Sequence, residues 1–335
     1  MTLKNIFTIL VVILIFVRCS TNPLDVDVSN VNVKIGFVNL DSILVNVKGE
    51  KRLEFHHTHL KKITNIYEYN LGYCIQMANS SDTGFVKSLD LYLEDPYIKR
   101  LEKRIAEKFS NLSPYKSEII EGFKHLKFHF NKGEIPENIV FVNALFKSNS
   151  FSTEQEIGIG LESYLGPKTD VIKELPQEPF YEWIKEGMED KFLTRDAICS
   201  WVMTHYVEEE DGNLAEQVVR WGKILYLTQA AYLDKDPSII MRYSDVDYKW
   251  AIDNEYSLWK YLVDEKLLFS INELNVKNLL KEGPFTIGLP EKGPDRLGQF
   301  LGFRMIQKFM ESKEISLEQL INTPYTEILV EYEID

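Results

Sequence analysis

Two histidines one turn apart, in His125-Leu-Lys-Phe-His129, come nearest to a metal site in this chain. On a helix that spacing puts both imidazoles on one face, as a zinc-binding helix does. A zinc peptidase also needs a glutamate directly after the first histidine as general base, and Leu126 holds that place. No H-E-x-x-H occurs anywhere in the sequence. The other histidine cluster, His56-His57-Thr58-His59, lies among Lys51, Arg52, Lys61 and Lys62, whose charges oppose a bound cation. The reading is a partly buried pair at 125 and 129, solvated histidines at 56–59, and no metal site.

Covalent catalysis finds no better footing. No G-x-S-x-G is present, and Ser163 in Leu161-Glu-Ser-Tyr-Leu-Gly166 has its glycine on the wrong side for a nucleophile elbow. His205, beside Tyr206, reads as a hydrogen-bonded structural residue. The acidic groups Glu208–Asp211, Asp234 with Asp236, Asp245 with Asp247, and Asp253 with Glu255 do not follow the calcium-loop pattern. Asp245 and Asp247 instead follow Ser244, where carboxylates complement a helix N-terminus. Gly158-Ile-Gly160 is too short for a phosphate cradle and reads as a strand that lets another group pack close. No catalytic, metal or cofactor residue is assigned.

The N-terminus carries a different chemistry. Lys4, the apolar run Ile6 to Val17, and then Arg18-Cys19 have the layout of a secretory signal ending on a cysteine. The run is well short of the ~20 residues a helix needs to span a bilayer. A cysteine in that place is where bacterial lipoproteins are cut and acylated, so Cys19 is the candidate lipidation site. A lipoprotein site prefers a small residue before the cysteine, and Arg18 departs from that. The alternatives are an ordinary signal peptide and an uncleaved anchor; each puts the body outside the cytoplasm. Residues 1–18 are thus expected to be a signal peptide and 19–32 a lipid anchor and polar tether, with one α+β domain over 33–335. Ser20 after the cysteine leans toward the outer membrane, facing the periplasm.

Losing Lys4 and Arg18 leaves 36 bases against 51 acids, a charge of −15. So acidic a body argues against nucleic acid, which rewards basic surface. It also argues against contact of the body itself with anionic lipid. Cys74 and Cys199 read as buried free thiols, the alternative being one disulfide between them.

These residues need elements to hold them. Val33 to Leu40 begins a strand; Ile98, Leu101, Ile105 and Phe109 mark an amphipathic helix; Ser113-Pro114 starts another with Ile119, Ile120, Phe123, Leu126 and Phe130 inward. Asn138–Phe146 and Glu156–Leu161 read as buried strands, paired as a hairpin or as neighbours. Beyond Pro179 the pattern is helical, with Thr194, Asn213 and Ser244 as N-caps and a capping box at Ser316 and Gln319. A Gly/Pro-rich loop, 282–294, feeds a helix from Asp295 to Met310. There Leu297, Leu301, Met305 and Phe309 form an apolar stripe, with Gly298 and Gly302 letting another helix or strand come close. Arg296 and Arg304 are either solvated or bound to an acid such as Glu255. The fold class is α+β and predominantly helical, with a small sheet in the first half and packed helices in the second.

Four blocks stand in a distinctive order: Ile157–Gly166, Trp221-Gly-Lys-Ile-Leu-Tyr226, Asp253-Asn-Glu-Tyr-Ser-Leu-Trp259 and Gly293-Pro-Asp-Arg-Leu-Gly-Gln-Phe-Leu-Gly-Phe-Arg304. In order and spacing they resemble the gliding-motility lipoproteins of the GldB type from Bacteroidetes, over roughly residues 30–330. The resemblance implies a cell-envelope lipoprotein needed for gliding and linked to type IX secretion. It acts by binding other envelope proteins, with its membrane contact through the lipid. The layout is also distantly similar to zincin-like peptidases. Thr194–Val202 and Val219–Lys223 fall where metal ligands would stand and supply none. That implies a degenerate zincin-like fold that is not an enzyme. The alternatives are an envelope hydrolase with an unrecognised site and a lipoprotein that binds a soluble ligand.

Overall fold

The computed structural model describes residues 24–47, 65–77, 84–209 and 212–332, with positions 51, 54, 58 and 63. Cys19, the signal segment, His56, His57 and His59 lie outside the described residues. The fold is α+β and mainly helical, with one four-stranded sheet formed in the first half of the chain.

Strands β1 (Gly36–Asn39), β2 (Asn138–Val142), β3 (Ser150–Ser152) and β4 (Glu156–Gly160) lie in the order β1-β2-β4-β3. The expected strands form, and β2 and β4 are neighbours. Their pairing is parallel, as is that of β1 with β2. The short β3 turns back and pairs antiparallel with β4, forming an edge that the sequence pattern did not reveal. Period-2 alternation buries both faces of β2. Ile139 and Phe141 join the main core, whereas Val140 and Val142 face a smaller core with Leu40, Ile66, Tyr67 and Phe85. Gly158 serves close packing: a Cβ there would lie 2.3 Å from the Phe151 ring across the β3–β4 pair.

Helix α1 (Leu40–Asn46) follows β1 directly, and α2 (Phe85–Glu94), α3 (Pro96–Lys108) and α4 (Ser113–His129) precede β2. Asp95 caps α3, accepting from the N–H groups of Tyr97 and Ile98 at 2.8 and 3.1 Å, with Pro96 in the first turn. Ile98, Leu101 and Ile105 are the buried stripe of α3. The polar segment read as a tether is docked from Leu24 onward, since Leu24 and Val28 are buried.

The second half packs α5 (Leu193–His205), α6 (Leu214–Ala231), α7 (Asp245–Asp253), α8 (Glu255–Asp264), α9 (Glu273–Leu280), α10 (Leu297–Ser312), α11 (Leu317–Asn322) and α12 (Tyr325–Val330). Asn213 and Ser244 cap α6 and α7, and Ser316 with Gln319 forms the capping box of α11. Thr194 is not a cap; it lies inside α5 and its hydroxyl donates to Glu118 at 3.0 Å. Asn254 ends α7 and begins α8.

Helices α6 and α10 cross through their glycines. A Cβ on Gly222 would lie 2.2 Å from Gly302 O, and one on Gly302 only 1.9 Å from Val218 O. The stripe Leu297, Leu301, Met305 and Phe309 is buried on α10. Arg304 donates to Glu255 at 2.9 Å, as one of the two expected alternatives has it, and Tyr332 OH donates to the same carboxylate at 2.7 Å. Among the described residues no helix is long and apolar enough to cross a membrane.

Candidate functional site

The α6–α10 crossing carries a polar cleft at its N-terminal end. The edge strand gives Asn149 and Ser150; α5 gives Arg195, Asp196, Cys199, Ser200 and Met203; Trp221, Arg242, Glu282, Arg296 and Gln299 complete a cavity of about 330 Å³. A second cavity of about 490 Å³ shares Asn149, Arg242, Glu282 and Arg296, so the two form one groove.

Three buried or nearly buried arginines dominate its chemistry. Arg195 donates to Ile240 O at 2.8 Å and to Asp196 Oδ1 at 3.1 Å. Arg242 donates to Asp196 Oδ2 and to Gly187 O, the latter at 2.8 Å. Tyr164 OH donates to the same Oδ2 at 2.8 Å, and burial lifts this phenol above its ordinary range. Arg296 donates to Asp295 at 3.0 Å and to Glu282 and Arg242 O, both at 3.4 Å. Burial works against the Arg296 charge, but Asp295 and Glu282 outweigh it and hold the guanidinium above its ordinary value. Burial raises Asp295 despite Arg296.

Two of these arginines adopt left-handed backbone: Arg242 has φ 55° and ψ 40°, Arg296 φ 51° and ψ 30°. Glycine or asparagine takes this conformation at lower cost; for other L-residues it is roughly 1–2 kcal/mol worse than the right-handed form. Each guanidinium therefore has to return more than that through its bonds. Arg242 lies 4.7 Å over the Phe192 ring and Arg296 5.5 Å over Tyr243, which fixes both planes.

Loop 282–296 is held as firmly. Thr286 Oγ1 donates to Pro294 O at 2.9 Å, and Leu297 N donates to that hydroxyl at 3.2 Å. Gly293 packs flat on Trp250, where a Cβ would stand 2.6 Å from the ring. On the opposite wall Ser150 and Ser152 share hydrogen bonds with Ser200 at 2.9 and 3.1 Å. These hydroxyls are engaged with one another, and the charges are compensated within the walls. The arrangement is suited to holding a shape for recognition.

A second polar cluster lies at the carboxyl ends of the parallel strands. Asp41 follows β1, Asn143 follows β2 and Glu162 follows β4, so parallel pairing gathers all three at one end. Asp41 accepts from Asn143 N at 2.9 Å, and Asn143 Nδ2 donates to Glu102 at 2.8 Å. Glu162 accepts from Ala144 N at 3.1 Å and Phe146 N at 2.9 Å. Burial raises all three acids: Glu162 to about 7, Glu102 above its usual range, and Asp41 well above it, with Glu102 adding to the last.

The residues singled out in the sequence lie elsewhere. His125 and His129 sit on α4 with Nδ1 and Nε2 respectively buried and unpartnered, and burial lowers His129 to about 4. Among the described residues no three His, Cys, Asp or Glu side chains are grouped to hold a metal. His205 accepts its structural role, bonding Thr153 O at 2.9 Å and stacking on Trp201 at 3.6 Å. Ser163 is buried with an unpartnered Oγ. Cys74 and Cys199 are buried free thiols, and burial pushes Cys74 up to about 12. The region expected to hold degenerate metal ligands, Thr194–Val202, does line the cleft, through Arg195, Asp196, Cys199 and Ser200. Arg242 and Glu282 carry no sequence signal for the cleft; Arg242 enters it as the left-handed C-cap of a short helix, Pro237–Met241.

A family model described as gliding motility protein GldB matches residues 21–333. No curated protein and no solved structure matches the chain.

Proposed function

This chain belongs to the family of gliding motility protein GldB, and on that premise we propose that it is a lipid-anchored, non-enzymatic envelope protein that serves gliding by binding other envelope proteins. The match over 21–333, which begins two residues after Cys19, is the observation that carries this reading. Acylation of Cys19 holds the body at the outer membrane, facing the periplasm. The partners belong to the gliding and type IX secretion machinery. The cleft supports a binding role: Arg195, Arg242 and Arg296 are tied to Asp196, Asp295 and Glu282, so the walls keep their geometry without moving a proton. The acidic body, at −15 once residues 1–18 are lost, favours partners with basic faces.

Deleting the gene in a gliding host should abolish colony spreading and reduce export of type IX cargo; normal spreading and export would sink the proposal. Metabolic labelling with a clickable fatty acid should mark the wild type and spare Cys19→Ala. Equal labelling of both, or of neither, removes the anchor from the account. Stoichiometric zinc in the purified protein, or turnover in a peptide-cleavage screen, would replace the reading with that of an envelope hydrolase.

A further inference from the structure

The outer edge of β3 has hydrogen-bonding groups with no partner among the described residues. Gly160 N donates to Asn149 O at 2.9 Å and Thr153 N donates to Glu156 O at 2.8 Å. Along an antiparallel ladder the backbone groups of alternate residues face the same neighbour. Residues 149, 151 and 153 therefore turn toward β4, and the N–H and C=O groups of Ser150 and Ser152 turn away from it. Among the described residues nothing pairs with those two donors and two acceptors; only the serine hydroxyls are bonded, to Ser200. Asn149, at the start of the edge, is exposed and borders the cleft.

From that edge the groove continues. In the second cavity its wall carries six carboxylates against four bases, Arg242 and Arg296 among the four. It then shares Trp183, Glu282, Gly283 and Pro284 with a third cavity of about 430 Å³, where Tyr181, Phe285 and Ile287 give an apolar floor beside Lys277 and Lys281. An unpaired strand edge is a liability unless something covers it. Only an extended backbone offers acceptors and donors at the two-residue repeat that Ser150 and Ser152 present. The excess of carboxylates in the second cavity calls for positive charge where the segment crosses it.

We propose that β3 is a docking edge, and that an extended, basic segment of an envelope partner protein pairs with Ser150 and Ser152 as a fifth strand and continues toward the aromatic pocket at Tyr181 and Trp183. This rests on the reading that the chain binds other envelope proteins, and gives that binding a place and a chemistry. Side chains of the added strand point alternately into the cleft and away from it, so a lysine or arginine passing the groove meets Glu282 and its acidic neighbours. The aromatic pocket takes an apolar residue farther along.

The test uses full-length protein in intact cells of a gliding host, with a photo-crosslinking phenylalanine at Asn149, Tyr181, Phe128 or Val330, one at a time. The last two are exposed on α4 and α12, away from the groove. The expected result is one partner protein joined at both Asn149 and Tyr181, with both adducts mapping to a single continuous segment that carries a lysine or arginine. Adding Ser152→Pro removes the outward N–H and leaves the ladder to β4 whole; it should cut the Asn149 adduct at least tenfold. Ser152→Ala loses only the hydroxyl and should keep the adduct. Equal adducts from Ser152→Pro and Ser152→Ala, adducts on an acidic or helical segment, or adducts to a second copy of this chain overturn the edge. Adducts at Phe128 or Val330 with none at Asn149 overturn the edge and leave partner binding standing. No adduct at any of the four positions overturns both.

Discussion

One methyl group at Gly302 probes the helix crossing beneath the cleft. A Cβ there would stand 1.9 Å from Val218 O, 2.8 Å from Val218 C and 3.0 Å from Gly222 N. All three are backbone atoms, so no rotamer change relieves the clash. Ordinary contact begins at 3.4 Å, which requires α10 to withdraw from α6 by about 1.5 Å. That movement would loosen Phe303, Met305 and Ile306, which are completely or almost completely buried on the same helix. Overpacking of this kind costs roughly 1–3 kcal/mol. Alanine returns up to about 1 kcal/mol through its better helix propensity. Because the obstruction is rigid, the upper part of the range applies, and the net loss for Gly302→Ala is about 2 kcal/mol. In a protein of this size that lowers Tm by roughly 3 °C. Urea denaturation should show the loss beside an exposed control on the same helix, Glu311→Ala, which should stay within about 0.5 kcal/mol of wild type. Gly302→Leu should be worse than Gly302→Ala. If Gly302→Ala melts at or above the wild-type temperature, the helices do not cross through this glycine, and the cleft built on that crossing needs another foundation.

Leu301→Ala, at a fully buried position, should cost about 2–5 kcal/mol in the same denaturation assay, and an unchanged midpoint would make that face of α10 a partner surface. Arg242→Ala breaks a buried pair with Asp196 and should cost roughly 3–5 kcal/mol, whereas Arg242→Gly should lose about 1 kcal/mol less because φ is 55°; equal losses would remove the strain argument. Glu162 holds its proton to about pH 7 in the fold against an ordinary 4.5, so its contribution is full below about pH 4.5, is lost as pH rises through 7, and is constant above. Integrated over that shift the loss is about 3 kcal/mol, and Glu162→Gln should flatten the fall in stability between pH 5 and pH 8; an unchanged slope would mean the acid is ionised in the fold.

What was legible in the sequence followed the range of the interactions. Periodicity exposed α3, α4 and α10, because each buries a stripe that recurs within the helix itself. Caps at Asn213, Ser244 and Ser316 were legible for the same reason, since the bond spans three residues. Even the close approaches of α10 had a local sign, the small residues Gly302, which faces α6, and Gly298, which faces Leu279 and Leu280 of α9, beside an apolar stripe. Strand direction had none. A run such as Asn138–Phe146 is equally apolar whether its neighbour runs parallel or antiparallel, so Asp41, Asn143 and Glu162 were not recognised as sharing one sheet end. Nor had β3: three residues carry too short an alternation to register, and Ser-Phe-Ser is buried on neither side completely. The arginine cleft was missed because its parts come from Arg195, Arg242 and Arg296, which tertiary packing alone brings together. The expected acid for an arginine of the fourth block was Glu255, and it belongs to Arg304; Arg296 found Asp295, its own chain neighbour.

The buried acids and the cleft are parts of one construction. Between β2 and β3 the chain passes through Leu145 and Phe146, both with left-handed backbone, at φ 48° and 59°. Neither is a residue that chooses this conformation by itself. Glu162 holds them, taking the N–H groups of Ala144 and Phe146 on its two carboxylate oxygens, while Asn143 Oδ1 takes the N–H of Leu145 at 3.1 Å. The path so fixed leads to Asn149 and then to β3. A carboxylate buried without a cation at a sheet end costs stability above its titration range, as the sign of its shift requires. It is nevertheless well matched to a turn that presents several unpaired donors at once, because one carboxylate accepts from two directions. Replacing it by leucine would remove the electrostatic cost and leave two buried amides unsatisfied. The acid at the sheet end is therefore what sets the position of the edge strand above Arg195, Asp196 and Ser200. The cleft depends on a residue that does not line it.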